Sequence, residues 1–270
     1  MPPDAAPWHA PYRAAWSALQ PLEPAQRIAW LNARAAALGV RNAAGRPIEF
    51  APAGDAGDAA YETHIHATGR VPTRAATAAS AHDLLNALVW LRWPRLKAAL
   101  NARQAAEIAR AGVQPVRGAA RDAATLIDES GLVLASDDPA VFEALATRQW
   151  RRLFVDRRAH WQRSVVAHLV GHALLDKLAR PYKAITAHVI VLAGRFDTPA
   201  ALDEAAAHWV AQPDLAPCRL LPLPVLGIPG WWPANARPDF YDDATVFRPL
   251  RSALPAARRA QGGPVRARAA

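Results

Sequence analysis

The sequence predicts an α+β fold: a mostly helical single domain with a small sheet, closed by a Pro-rich C-terminal strap. Three observations carry this expectation. Apolar residues recur at helical spacing over long stretches, as at Ile28, Leu31 and Leu38, and residues 84–93 are apolar almost all round. Only short β-branched or alternating runs read as strands, most clearly residues 186–192. Between Pro213 and Pro249 closely spaced prolines forbid regular helix, while Trp231, Trp232 and Phe240 supply too much apolar surface for a free linker.

Taken in order, residues 8–19 and 24–38 read as helices, the second closed by Gly39. Residues 48–50 form a short strand, and the alternation in residues 61–66 suggests another. Ser80 followed by Asp83 fits a capping box that opens the next helix, which Pro94 ends or kinks. A further helix runs over residues 95–111 and stops at Gly112. Residues 124–127 and 132–135 flank Asp128-Glu129-Ser130-Gly131 and read as a β-hairpin. Pro139 stands at the first position of a helix reaching about residue 150. Residues 164–178 read as one long helix, residues 186–192 as a buried strand, and Thr198 opens a last helix to about residue 211. The expected domain covers residues 1–249, and residues 250–270, without apolar periodicity, are expected to be a disordered basic tail.

Composition limits the function classes. The 270 residues are 52% hydrophobic, enough for a real core, and the single Cys, Cys218, excludes a disulfide scaffold and a Cys-rich zinc module. The net charge of +9 is concentrated in two segments, residues 148–163 and 250–270, so the remaining surface is close to neutral. The visible N-terminus has no secretory pattern, and no apolar stretch approaches the roughly 20 residues of a bilayer span. The expectation is a soluble cytoplasmic protein without a membrane partner. Phosphate-loop, dinucleotide, serine-hydrolase and HExxH signatures are absent.

Seven stretches carry a family likeness: VPTR at 71–74, HDLLNALVWLRWPRLKAALN at 82–101, RDAATLIDESG at 121–131, GHALLDKL at 171–178, PYKAITAH at 181–188, VLGIPGWWPAN at 225–235 and FYDD at 240–243. Together they resemble the bacterial domain-of-unknown-function family 3025. The resemblance implies no activity, cofactor or site residue, so the chemistry is read from the side chains.

His82 and Asp83 are adjacent and offer two ligands for a divalent metal. The competing reading makes Asp83 the acid of the Ser80 cap. Asn86, one helical turn beyond His82, sits among apolar residues, and a buried carboxamide needs partners. His168 and His172 lie one turn apart if residues 164–178 are helical, the spacing of two ligands on one face; the alternative is a pair of core histidines. Lys183 stands in a chain with only three lysines (Lys97, Lys177 and Lys183), and Thr186 and His188 share one face of the strand that follows it. Asp128 and Glu129 read as solvated turn residues, and Arg121 with Asp122 as a structural pair.

The leading expectation is metal-assisted hydrolysis of a small anionic, phosphate-type substrate. His82, Asp83, His172 and His188 are the expected ligands of a divalent metal, and His82, Asp83, Asn86 and Lys183 the expected catalytic groups. The second reading is a non-catalytic protein that binds nucleic acid or another polyanion through Arg151, Arg152, Arg157 and Arg158, which alternate with Trp150, Phe154 and Trp161. A third is a structural partner that docks through Trp231 and Trp232. Whether the chain is an enzyme is left open by the sequence.

Overall fold

A computed structural model describes residues 6–53, 60–75, 81–112 and 118–250. The chain opens with a 3₁₀ segment, Pro7–Tyr12, that leads into α1 (Arg13–Leu19) and α2 (Pro24–Leu38). Glu23 and Gln26 form a reciprocal capping box at the start of α2, and Gly39, at φ 63°, ends it in the left-handed region. A small parallel pair follows, β1 (Glu49–Pro52) with β2 (Arg70–Thr73), connected through α3 (Tyr61–Thr68). Residues 61–66 are therefore helical rather than extended. Their alternation is too short to separate the two periods, and Gly69, at φ 78°, stops the helix where a Cβ would lie 2.2 Å from the Pro47 carbonyl oxygen.

α4 (Ala81–Arg92) and α5 (Pro94–Ala111) meet at Trp93, with Pro94 at the first position of the second helix. The buried Asp203 carboxylate accepts from the main-chain N–H groups of Arg95 and Leu96 and so satisfies the start of α5. Asp203 belongs to α10 (Pro199–Ala211), opened as expected by the Thr198 side chain accepting from the Ala201 N–H. The expected capping role of Ser80 lies outside the described residues, as does the tail beyond Leu250.

Two sequence expectations are corrected here, and both bear on the site. Residues 119–130 are not the arm of a hairpin but α6 (Ala119–Ser130), which runs directly into β3 (Gly131–Ser136). Ala123, Ala124 and Ile127 bury one face at helical spacing, so Asp128 and Glu129 sit in the last turn of a helix. Residues 164–178 are not one helix but β4 (Val165–Leu169), a turn, and α9 (His172–Lys177). β-branched Val165 and Val166 fit the strand, and His168 and His172 therefore do not share a helix face. Between β3 and β4 the chain passes through α7 (Pro139–Ala146) and α8 (Arg158–Trp161), of which α8 packs against β4.

The main sheet has the order β4-β3-β5-β6, with β5 (Thr186–Ala193) parallel to β3 and both outer pairings antiparallel. β3 is buried at every position, as a central strand covered on both faces must be. β6 (Leu221–Pro224) is an edge strand within the Pro-rich strap, where a missing N–H costs no ladder bond. The strap then continues in short 3₁₀ turns to Asp242. Tyr12 ties the two ends of the core together: its hydroxyl donates to the Leu169 carbonyl at 2.6 Å and accepts from the Trp93 indole at 3.0 Å. The α+β expectation holds, with helices predominating around one buried cluster that extends from the N-terminal segment to Phe247.

Candidate metal centre

A polar cavity of about 400 Å³ lies among α3, α4, α5, α6 and α9, and His82, Asn86, Lys97, Asp128, Glu129 and His172 are part of its wall. Each arrives for a local reason. The apolar all-round face of α4 buries Asn86 and carries His82 one turn earlier. α5 brings in Lys97 between buried Leu96 and Ala98. The last turn of α6 supplies Asp128 and Glu129. His172 is the first residue of α9, and it is delivered by a very close approach. A Cβ on Gly171 would stand 2.4 Å from the Gly131 nitrogen and 2.5 Å from the Ser130 backbone. Only glycine lets this turn press against the end of α6, where the N–H groups of Val170 and Gly171 both donate to the Gly131 carbonyl.

One ligand atom from each of His82, Glu129 and His172 lies within 4.8 Å of the other two. The two imidazoles face each other Nε2 to Nε2 at 3.1 Å, and Glu129 Oε2 is 3.7 Å from His172 Nε2. Two imidazoles and a carboxylate, with the remaining directions open to a cavity, make a donor set suited to a catalytic divalent ion. His172 is buried, and desolvation, reinforced by the Lys97 and His82 charges and opposed by Asp128, pulls it down to about 4. At neutral pH its ring is therefore uncharged and keeps a lone pair for a ligand. Asp128 Oδ1 lies 3.9 Å from His172 Nδ1, on the side away from His82. That distance is beyond hydrogen-bond reach, so the carboxylate acts on the ring through its charge alone.

Lys97 is only 4% exposed, and a charge so placed has to be compensated within the fold. Its ammonium donates to Asp128 Oδ1 and, at 2.8 Å, to Asn86 Oδ1, and it stands 5.4 Å from the Trp90 ring centre. Asn86 Nδ2 donates in turn to the Tyr61 hydroxyl at 3.0 Å. Burial works against the Asp128 charge, but Lys97 and then His172 hold its carboxyl below the ordinary range. Two basic and four acidic residues line the described wall, which leaves the cavity with a formal excess of two negative charges, a field that favours a cation.

Of the residues expected from sequence, His82, Asp83, Asn86 and His172 line this one cavity. Asp83, however, is occupied: Arg74 donates to it from its main-chain nitrogen, Nε and Nη2 at 2.8–2.9 Å. It is not one of the three converging ligands, so its expected metal-ligand role is replaced by an ion pair at the rim. Lys183 and His188 are not brought to the cavity. Lys183 pairs with Asp243 at 3.0 Å and lies 4.4 Å above the Phe240 ring, which makes it a clamp on the C-terminal strap. His188 lies in β5 opposite Gly131, half-buried, with Asp122 among the charges that act on it. His168 packs on Trp93 instead.

Sequence reasoning missed Lys97, Asp128, Glu129 and Tyr61. The signal for the acids was the helical spacing of Ala123, Ala124 and Ile127. The signal for Lys97 was a lysine inside an apolar run of an Arg-rich chain.

The arginines of the second reading are engaged within the fold. Arg151 pairs with Asp242, Arg152 with Glu143 and Arg157 with Asp138, while Arg158 donates to the Asn235 carbonyl and side chain. Trp150, Phe154 and Trp161 are buried, so the aromatics of this segment pack inward. A larger cavity of about 520 Å³ lies between α1, α2 and α4, but among the described residues its wall contains no His, Cys or carboxylate.

A family model described as a protein of unknown function (DUF3025) matches residues 48–251, three quarters of the chain and every residue of the polar cavity. The chain belongs to the DUF3025 family. No curated protein and no solved structure matches this DUF3025 chain. Among its described residues, no helix is long and apolar enough to cross a membrane.

Proposed function

We propose that the protein is a metal-dependent hydrolase in which His82, His172 and Glu129 hold one divalent ion. The observation that carries this reading is the convergence of those three side chains at the wall of a polar, net-negative cavity. A bound ion would supply Lewis acidity and a hydroxide at neutral pH. Asp128, held by Lys97, stands 3.9 Å behind His172 Nδ1 and supplies negative charge on that side of the ring. The substrate in this reading is a small phosphate-type molecule. Its anchor in this reading is the metal rather than a lysine, because the Lys97 charge is already paired with Asp128 and Lys183 lies in the strap.

Cobalt(II) titration of metal-free protein tests the reading. The expected result is a d–d spectrum of a low-coordinate site saturating at one equivalent, lost in His82→Ala and His172→Ala and perturbed in Glu129→Gln. A screen of aryl phosphate and acyl ester substrates with the loaded protein should then give turnover that Glu129→Gln lowers by at least tenfold. An octahedral, aquo-like spectrum unchanged by all three substitutions would reject the reading.

A further inference from the structure

The direction of the hydrogen bonds that run out from Lys97 is fixed by chemistry alone. An ammonium can only donate, so Asn86 must turn Oδ1 toward Lys97, at 2.8 Å. That choice leaves Asn86 Nδ2 facing the Tyr61 oxygen, at 3.0 Å. An amide N–H also only donates, so the phenol oxygen is the acceptor and the phenol proton must point elsewhere. Among the described residues no side chain or carbonyl accepts that proton, and Tyr61 lines the same cavity as the His82–His172 pair.

We propose that Tyr61 is a binding residue whose O–H donates to an acceptor oxygen, phosphoryl or carbonyl, of the molecule held in this cavity. The proposal rests on the metal-site reading for the place where that molecule sits, but the direction of the hydrogen-bond chain does not depend on it. The buried Lys97 charge polarises Asn86, and Asn86 polarises the phenol, so each link strengthens the donor at the end. Desolvation by the cavity wall first, and then Asp128, with Asp83 and Glu62 adding to it, push the phenol of this partly exposed residue up, while the Asn86 bond opposes them. Tyr61 therefore keeps its proton at neutral pH and is a donor rather than a charge. No anionic side chain of the described fold takes that hydrogen bond, and Tyr61 is 40% exposed, so a ligand oxygen would take the place of solvent there.

Two measurements on the full chain test the proposal. Neutron diffraction from deuterated, metal-free crystals locates the atom directly. The expected map has both Asn86 amide deuterons on the nitrogen facing Tyr61 and the phenol deuteron directed into the cavity. A phenol deuteron aimed at Asn86 would overturn the proposal. The second probe is acetohydroxamate, whose oxygens chelate a divalent ion, titrated into zinc-loaded wild type and Tyr61→Phe. Zinc affinity should be the same in both, and the dissociation constant of the hydroxamate should rise roughly 3- to 10-fold in the variant, as for one lost neutral hydrogen bond. Equal constants in a variant with a wild-type circular dichroism spectrum would overturn it. If the wild type takes up no zinc, the metal-site reading fails separately and the neutron map alone decides the role of Tyr61.

Discussion

Lys97 is the residue on which the site turns. Its ammonium is buried with Asp128 and Asn86, so removing the charge strands a carboxylate in the interior. Lys97→Met should cost about 3–5 kcal/mol of unfolding free energy, and Lys97→Met combined with Asp128→Asn distinctly less than the sum of the two single changes. A urea-denaturation double-mutant cycle measures this, and simple additivity would show that the pair is not coupled. A second residue sets a pH dependence outside the cavity. Desolvation, with Arg92 nearby, holds His168 at about 4, below its ordinary value of 6.5. The unfolded chain therefore takes up this proton before the folded one does. Stability from this group is present above pH 6.5 and is lost as pH falls toward 4, by on the order of 3 kcal/mol in full. His168→Gln should flatten the urea midpoint between pH 7.5 and 4.5, and an unchanged slope would count against it. At this scale the sequence was partly legible. Asn86 stands out as a polar residue in apolar surroundings, His82 by its adjacency to Asp83 and His172 by its spacing from His168. Lys97 offers only the weak signal of a lysine in an Arg-rich chain, because a lysine on a helix is ordinarily solvated and only the fold closes Trp90 and Asp128 around it.

The elements explain both what the pattern revealed and what it hid. Helices with marked ends were legible: α2 ends at Gly39, α4 ends before Pro94, and α10 is opened by Thr198. The strand β5 was legible from its β-branched run. Besides residues 61–66, the segments read wrongly are 124–135 and 164–178, where a helix and a strand join directly or across two residues. A window spanning such a junction mixes two periods, and the stronger apolar residues decide the reading. The missing cue was tertiary: β3 and β4 pair from Leu132–Leu169 to Ser136–Val165, and that pairing ends at Gly131 and Gly171. Gly171→Ala is the test of that junction. With no room for a Cβ, the turn must move away from α6, so the variant should lose both stability, by roughly 2 kcal/mol or more, and metal binding. A variant that unfolds at the wild-type midpoint and loads metal normally would show that the close approach does not position His172.

At the scale of the whole molecule, the family match and the cavity coincide, and the strap has a different task. Lys183 and Asp243 fasten the C-terminal turns beside Phe240, and Tyr241 donates to the Gly227 carbonyl, so residues that looked chemical in sequence close the core instead. The overall positive charge does not describe the site, whose described wall is net negative. A ligand that binds only the folded chain stabilises it by mass action. Zinc or manganese at 100 times its dissociation constant should therefore add about 2.7 kcal/mol and raise the melting temperature in a dose-dependent way. The central claim is that three side chains from three helices hold an ion. Its most direct test is metal content by mass spectrometry on untagged wild type, His82→Ala, His172→Ala and, as a control outside the cavity, Lys183→Ala. One equivalent of a transition metal in the wild type and in Lys183→Ala, and almost none in either histidine variant, is the expected result. A metal-free wild type that stays metal-free after incubation with zinc, manganese and iron would contradict it.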